Sequence, residues 1–140
     1  MNEKGLLTGF LASKLALALA VALFLASTLA MYEVFEREAR EKELKSVLDV
    51  VAGSLRKVDS LPGKIRLERK LPSVGCLYFL VLSGDNLEDR MVKIGIYAEE
   101  NFHRTVILGG GVNGGTFQIR ERNPYRITLK KFDGISVELD

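Results

Sequence analysis

The chain has 140 residues, with 20 Lys+Arg against 18 Asp+Glu and a formal net charge of +2. The charge is too balanced to imply a polyanion partner. Its densest basic stretches, RLERK at 66–70 and LKK at 129–131, alternate with apolar residues like solvent faces of strands, so no nucleic-acid partner is expected. Cys76 is the only cysteine, which excludes an internal disulfide and any CxxC metal or redox motif.

Residues 1–14, MNEKGLLTGFLASK, form a short leader. Leu15–Met31 follows as 17 residues without a charge, and Tyr32 and Val34 extend it to about the 20 residues a bilayer core requires. Ala and Leu dominate, and the first proline is Pro62, so one helix is predicted from about Leu6 or Leu11 to about Asp59. Its middle, EREAREKE at 36–43, is polar all round and reads as a charged stalk in water. Beyond it Leu44, Leu48, Val51, Leu55 and Val58 recur at alternating spacings of four and three, with Val47 beside them. That is one apolar stripe, suited to packing on a sheet or in a bundle. Ser60-Leu61-Pro62-Gly63 stops the helix, because the residue before proline avoids the helical region and glycine permits the turn.

From Lys64 onward the apolar period is two. KIRLERKL alternates through Ile65 and Leu67 towards Leu71. CLYFLVL at 76–82 reads as a central strand covered on both faces. SGDNLEDR at 83–90 is a turn, and MVKIGIYA at 91–98 alternates through Val92, Ile94 and Ile96. FHRTVIL at 102–108 and GTFQIR at 115–120 flank a glycine-rich hairpin loop. YRITLKK at 125–131 and ISVEL at 135–139 are joined by a Phe132-Asp133-Gly134 turn. The predicted class is α+β: a long N-terminal helix, half membrane-seeking and half amphipathic, packed on a mainly antiparallel sheet. The expected divisions are 1–5 leader, 6–34 transmembrane helix, 35–43 stalk, and 44–140 soluble domain with helix 44–59 and sheet 64–140.

Catalytic chemistry is absent from the motifs. The loop at 109–115, with Gly109, Gly110, Gly111, Asn113, Gly114 and Gly115, lacks the Lys-Ser/Thr of a phosphate loop and leads into a strand rather than a helix. It reads as a hairpin tip whose glycines and asparagine take positive φ, with a contact loop for a subunit or ligand as the alternative. The acidic turn of Asp85, Asn86, Glu88 and Asp89 carries oxygen ligands of the kind calcium takes. Its spacing departs from the twelve-residue calcium loop, so a solvated turn is expected. Cys76, in an apolar run, is expected to be a buried small hydrophobe. His103 is the single histidine and is expected on the surface. No enzyme activity, metal or cofactor is expected.

Three fates compete for residues 1–31. The segment reads as a signal peptide cut after Thr28-Leu29-Ala30, as a simple single-pass anchor, or as a leader processed at Lys4-Gly5. A short N-terminus ending in Lys-Gly and followed directly by a long hydrophobic helix resembles the class III signal peptides of archaeal type IV pilin-like proteins. The later layout resembles the same group: an amphipathic helix, then SLPGKIRLERKLP, then CLYFLVL. The resemblance implies cleavage by a prepilin peptidase between Gly5 and Leu6, leaving Leu6 first. Many pilins carry glutamate as the fifth mature residue, where this chain has Phe10.

Two functions follow. The first is a membrane-anchored, pilin-like structural or assembly protein, such as a minor pilin or adaptor. Its partners would be lipid, its own copies or other pilin-like subunits, with Ala12, Ala16, Ala20 and Ala26 as candidate helix-packing positions. The alternative is an anchored or secreted extracellular binding module for a ligand, ion or surface polymer, using the two loops above. Basic residues on the two sides of the run do not set orientation clearly: Lys4 and Lys14 precede it, and Arg37, Arg40, Lys42 and Lys45 follow. The short N-terminal tail is expected inside and the β-domain outside the cell.

Overall fold

The structure, a computed structural model, describes residues 3–84, 91–109, 117–132 and 134–140. Its first element is a continuous helix, α1, Glu3–Ser60. It starts before Leu6 because nothing from Glu3 onward breaks it, Gly5 and Gly9 being tolerated in a run rich in Leu and Ala. The chain divides into two compact units, Met1–Ala39 and Arg40–Asp140.

In the second unit α1 presents the predicted stripe. Leu44, Val47, Leu48, Val51, Leu55 and Val58 are all buried, joined by Ala52 and Ser54. Ser54 returns its hydroxyl hydrogen to the Val50 carbonyl at 2.6 Å, so its burial leaves no polar atom unpaired. Each Leu or Val buried on this face stabilises the fold by about 1.5–3 kcal/mol relative to exposure.

Lys131 closes the helix from across the domain. Its ammonium donates to the carbonyls of Val58 (3.4 Å), Asp59 (2.9 Å) and Leu61 (2.8 Å). The last turn of a helix leaves carbonyls without intrahelical partners at the negative end of its dipole, which a cation satisfies. Gly63 then takes φ +84° and turns the chain into the first strand.

Among the described residues seven antiparallel strands follow: β1 Ile65–Lys70, β2 Phe79–Gly84, β3 Met91–Tyr97, β4 Asn101–Ile107, β5 Phe117–Arg122, β6 Arg126–Lys131 and β7 Ile135–Leu139. They make two sheets rather than one, in the orders β1-β6-β7 and β4-β3-β2-β5. The α+β class therefore stands, with the helix packed on both sheets through a shared core. That core includes Leu80, Leu82, Val92, Ile94, Ile96, Ile127 and Leu129.

Three local expectations are corrected. β2 begins at Phe79, not Cys76, because Asn123 takes the preceding backbone out of the ladder. Its side chain accepts from the Tyr78 N–H at 2.7 Å and donates to the Cys76 carbonyl at 3.0 Å, while its own N–H donates to the Tyr78 carbonyl at 3.1 Å. Asn123 holds φ 42°, which asparagine tolerates better than most residues. Cys76 is consequently half-buried at the core margin rather than buried in a strand. Secondly, Ser83 and Gly84 continue β2 instead of opening the turn. Thirdly, β2 is central but covered on one face only: Leu80 and Leu82 are buried, Val81 is half-buried and Phe79 is exposed.

The basic stretch of β6 also departs from simple alternation. Ile127, Thr128 and Leu129 are buried in succession, and Lys130 and Lys131 are half-buried.

Candidate functional site

The apolar half of α1 is the feature that asks for a function. From Leu6 to Phe35 no side chain is buried, with Leu15 64%, Leu23 67% and Phe24 71% exposed. Leu15–Met31 rises about 25 Å, and with Tyr32 and Val34 the run reaches about 30 Å. A cylinder of that length and about 10 Å width presents on the order of 1,000 Å² of surface. Monomeric soluble proteins rarely show more than a few hundred Å² of continuous apolar surface. By length and composition this helix is able to cross a membrane.

Two of its hydroxyls are satisfied within the helix. Ser27 and Thr28 donate their hydroxyls to the carbonyls of Leu23 and Phe24, both at 2.8 Å. Hydroxyls so bonded need no water, which a hydrocarbon core cannot supply. The Lys14 ammonium lies 4.6 Å from the centre of the Phe10 ring, one turn towards the N-terminus. Side chains on a helix lean that way, so Lys14 carries its charge off the apolar run and onto an aromatic face.

The processing residues Lys4, Gly5 and Leu6 lie exposed in the first turns of α1, with Thr8 Oγ1 donating to the Lys4 carbonyl at 2.6 Å. Ala12, Ala16, Ala20 and Ala26 are exposed too, and at about 100° per residue they share one side of the helix. A shallow apolar groove lined by Lys14, Leu17, Ala18, Val21, Ala22 and Leu25 falls on the opposite side. Reading the spacing of small residues singled out the first set. The groove instead follows the Ala18–Ala22 pair, which the same rule should have found.

Of the glycine loop, Gly109 is described: it is exposed, and its N–H donates to Asp59 Oδ2 at 2.7 Å, tying the loop's base to the end of α1. Gly110, Gly111, Asn113, Gly114 and Gly115 lie outside the described residues, as do Asp85, Glu88 and Asp89. Among the described residues no group of three or more His, Cys, Asp or Glu is placed to hold a metal.

The charged segment of α1 already bonds to the globular unit. Arg40 pairs with Glu99 at 3.9 Å, and Glu43 accepts from the Gly75 N–H at 3.2 Å. Further along, Arg104 of β4 ion-pairs with Asp49, and the Lys45 ammonium sits 5.5 Å from the Phe102 ring centre. His103, on the opposite face of β4, is exposed and meets the Tyr97 ring edge-on at 5.3 Å.

Comparison with protein-family models, with curated proteins and with solved structures found no match to this chain.

Proposed function

We propose that this is a membrane-anchored, pilin-like structural or assembly protein. The apolar half of α1 spans the bilayer, and the β-domain stands outside the cell. The observation that carries this reading is the contrast within one helix: residues 6–35 expose every side chain, whereas the stripe from Leu44 to Val58 is buried against β-sheets. A helix with one packed half and one exposed half that is mainly apolar needs lipid or other apolar helices around the exposed half.

The arrangement supports the pilin-like part through its order: Lys4-Gly5, a hydrophobic helix, an amphipathic continuation, then antiparallel strands. Cleavage between Gly5 and Leu6 requires the first turn to open. That turn is the least costly one to unwind, because its N–H groups have no intrahelical acceptors and glycine favours the unfolded backbone. Small side chains on the spanning segment, Ala12, Ala16, Ala20 and Ala26 among them, let a second helix approach closely in lipid.

The test is the N-terminus of the mature protein taken from its native membrane, read by intact mass and N-terminal sequencing. A start at Leu6 supports the pilin-like reading. A start at Met1 reduces it to a plain anchor, and a start at Met31 removes the anchor altogether.

A further inference from the structure

The four-stranded sheet has two faces, and α1 takes one. On the other, register places Phe79 between Tyr97 and Arg122, and Val81 between Gly95 and Arg120. Gly95 lies beside His103, and Lys93 lies between Ser83 and Thr105. These positions alternate with the buried Leu80, Leu82, Ile94 and Ile96. Phe79, Lys93, Tyr97, His103, Arg120 and Arg122 are all exposed.

Cations scattered along the chain are thus gathered on one surface. Among the described residues this face holds Lys93, Arg120 and Arg122 and no carboxylate. Of the described acids near it, Glu99 lies 3.9 Å from Arg40, and Glu121 sits opposite Leu80 on the other face.

The aromatic groups lie low on the sheet. The Arg120 guanidinium sits 4.2 Å from the Phe79 ring centre. A Cβ at Gly95 would come within 2.9 Å of Tyr97 Cε2 and 3.3 Å of His103 Nδ1, so both rings lean over the strand at Gly95.

We propose that this face binds single-stranded nucleic acid. Bases stack on Tyr97 and on the Arg120–Phe79 pair, and phosphates meet Lys93, Arg120 and Arg122. A face whose described residues supply cations and no acid favours a polyanion, and exposed flat rings favour one with planar groups. Residues 120 and 122 project about 7 Å apart along β5, comparable to successive phosphates of an extended strand. Duplex bases are already stacked on one another and cannot reach the rings. An acidic polysaccharide would use the same cations, and the competition below separates it from a single strand. The inference goes beyond the anchor reading and does not depend on it.

The test uses the full chain in non-ionic micelles with fluorescein-labelled dT12, followed by anisotropy. Three phosphate contacts give a slope of log K against log salt of about −2, so affinity falls about 20-fold between 50 and 200 mM salt. Tyr97→Ala weakens binding by about 5- to 150-fold, while Tyr97→Phe retains it. Arg122→Gln lowers the slope to about −1.4.

Absence of binding at 50 mM salt overturns the proposal. So does a dA12·dT12 duplex bound as tightly as the single strand. Displacement by polygalacturonate or phosphatidylglycerol vesicles as efficient as by unlabelled dT12 would make the face a general anion surface and equally reject the proposal. Because the chain stays in micelles, none of these outcomes bears on the anchor.

Discussion

Replacing Asn123 with alanine removes two side-chain hydrogen bonds and places a Cβ-bearing residue without a polar side chain at φ 42°. The Tyr78 N–H, part-buried, loses its acceptor, which costs about 1–2 kcal/mol. The bond to the Cys76 carbonyl is exposed, so water replaces it and about 0.5 kcal/mol is lost. Alanine's dislike of the left-handed region adds about 1 kcal/mol. The sum is about 2.5–3.5 kcal/mol of domain stability. Asn123→Gly restores the backbone freedom but not the bonds, and should lose about 1.5–2.5 kcal/mol. Asn123→Asp keeps the acceptor for Tyr78 and should lose least. Urea unfolding of the full chain in non-ionic micelles, followed by near-ultraviolet circular dichroism, reads the order Asn, Asp, Gly, Ala. An alanine variant within 0.5 kcal/mol of the parent (about the scatter of an inert surface substitution), or a glycine variant below alanine, would refute the reasoning.

Lys131→Met should cost about 1–3 kcal/mol, because three carbonyls near the end of α1 lose a charged donor. Hydrogen exchange should show the loss as faster exchange in the last turn, and unchanged protection there would contradict the capping role. Gly95→Ala is expected to change stability by less than about 1 kcal/mol, since the obstructing atoms are ends of exposed side chains, but to move the Tyr97 ring. A shift of the His103 ring resonances checks this, and unmoved resonances count against the close approach. Burial, aided by the charge of Cys76, raises the Tyr78 phenol above its ordinary value of 10.0. The folded state thus holds that proton longer than the unfolded chain does. Its contribution is complete below about pH 10 and is lost as pH rises through the folded value. Urea midpoints measured from pH 8 to 11 should fall less steeply for Tyr78→Phe than for the parent, and equal slopes would reject the assignment.

The helix and strands were legible because their signals are periodic. The stripe from Leu44 to Val58 can be buried on one side only, and Val92, Ile94 and Ile96 alternate as a half-buried strand must. What stayed hidden depends on contacts distant in sequence. A single asparagine sets the start of β2 from 45 positions away, overriding an apolar run that local pattern extends to Cys76. Lys131 looks like a solvent-facing strand residue until β6 lies beside the end of α1. The split into two sheets comes from pairing order, which alternation does not encode. The open face of the second sheet was missed for the same reason: Lys93, Arg120 and Arg122 are scattered in sequence and become neighbours only through register. For the apolar run the sequence sufficed to expect a spanning helix, since length and absence of charge are local properties.

The claim on which the account rests is that the exposed apolar half of α1 sits in lipid. Alkaline carbonate extraction of native membranes, with the chain followed by mass spectrometry, tests it most directly. The account predicts that a chain still carrying Leu15–Met31 remains in the pellet and floats with the lipid. Release of that same chain, intact and folded, into the soluble fraction would contradict it.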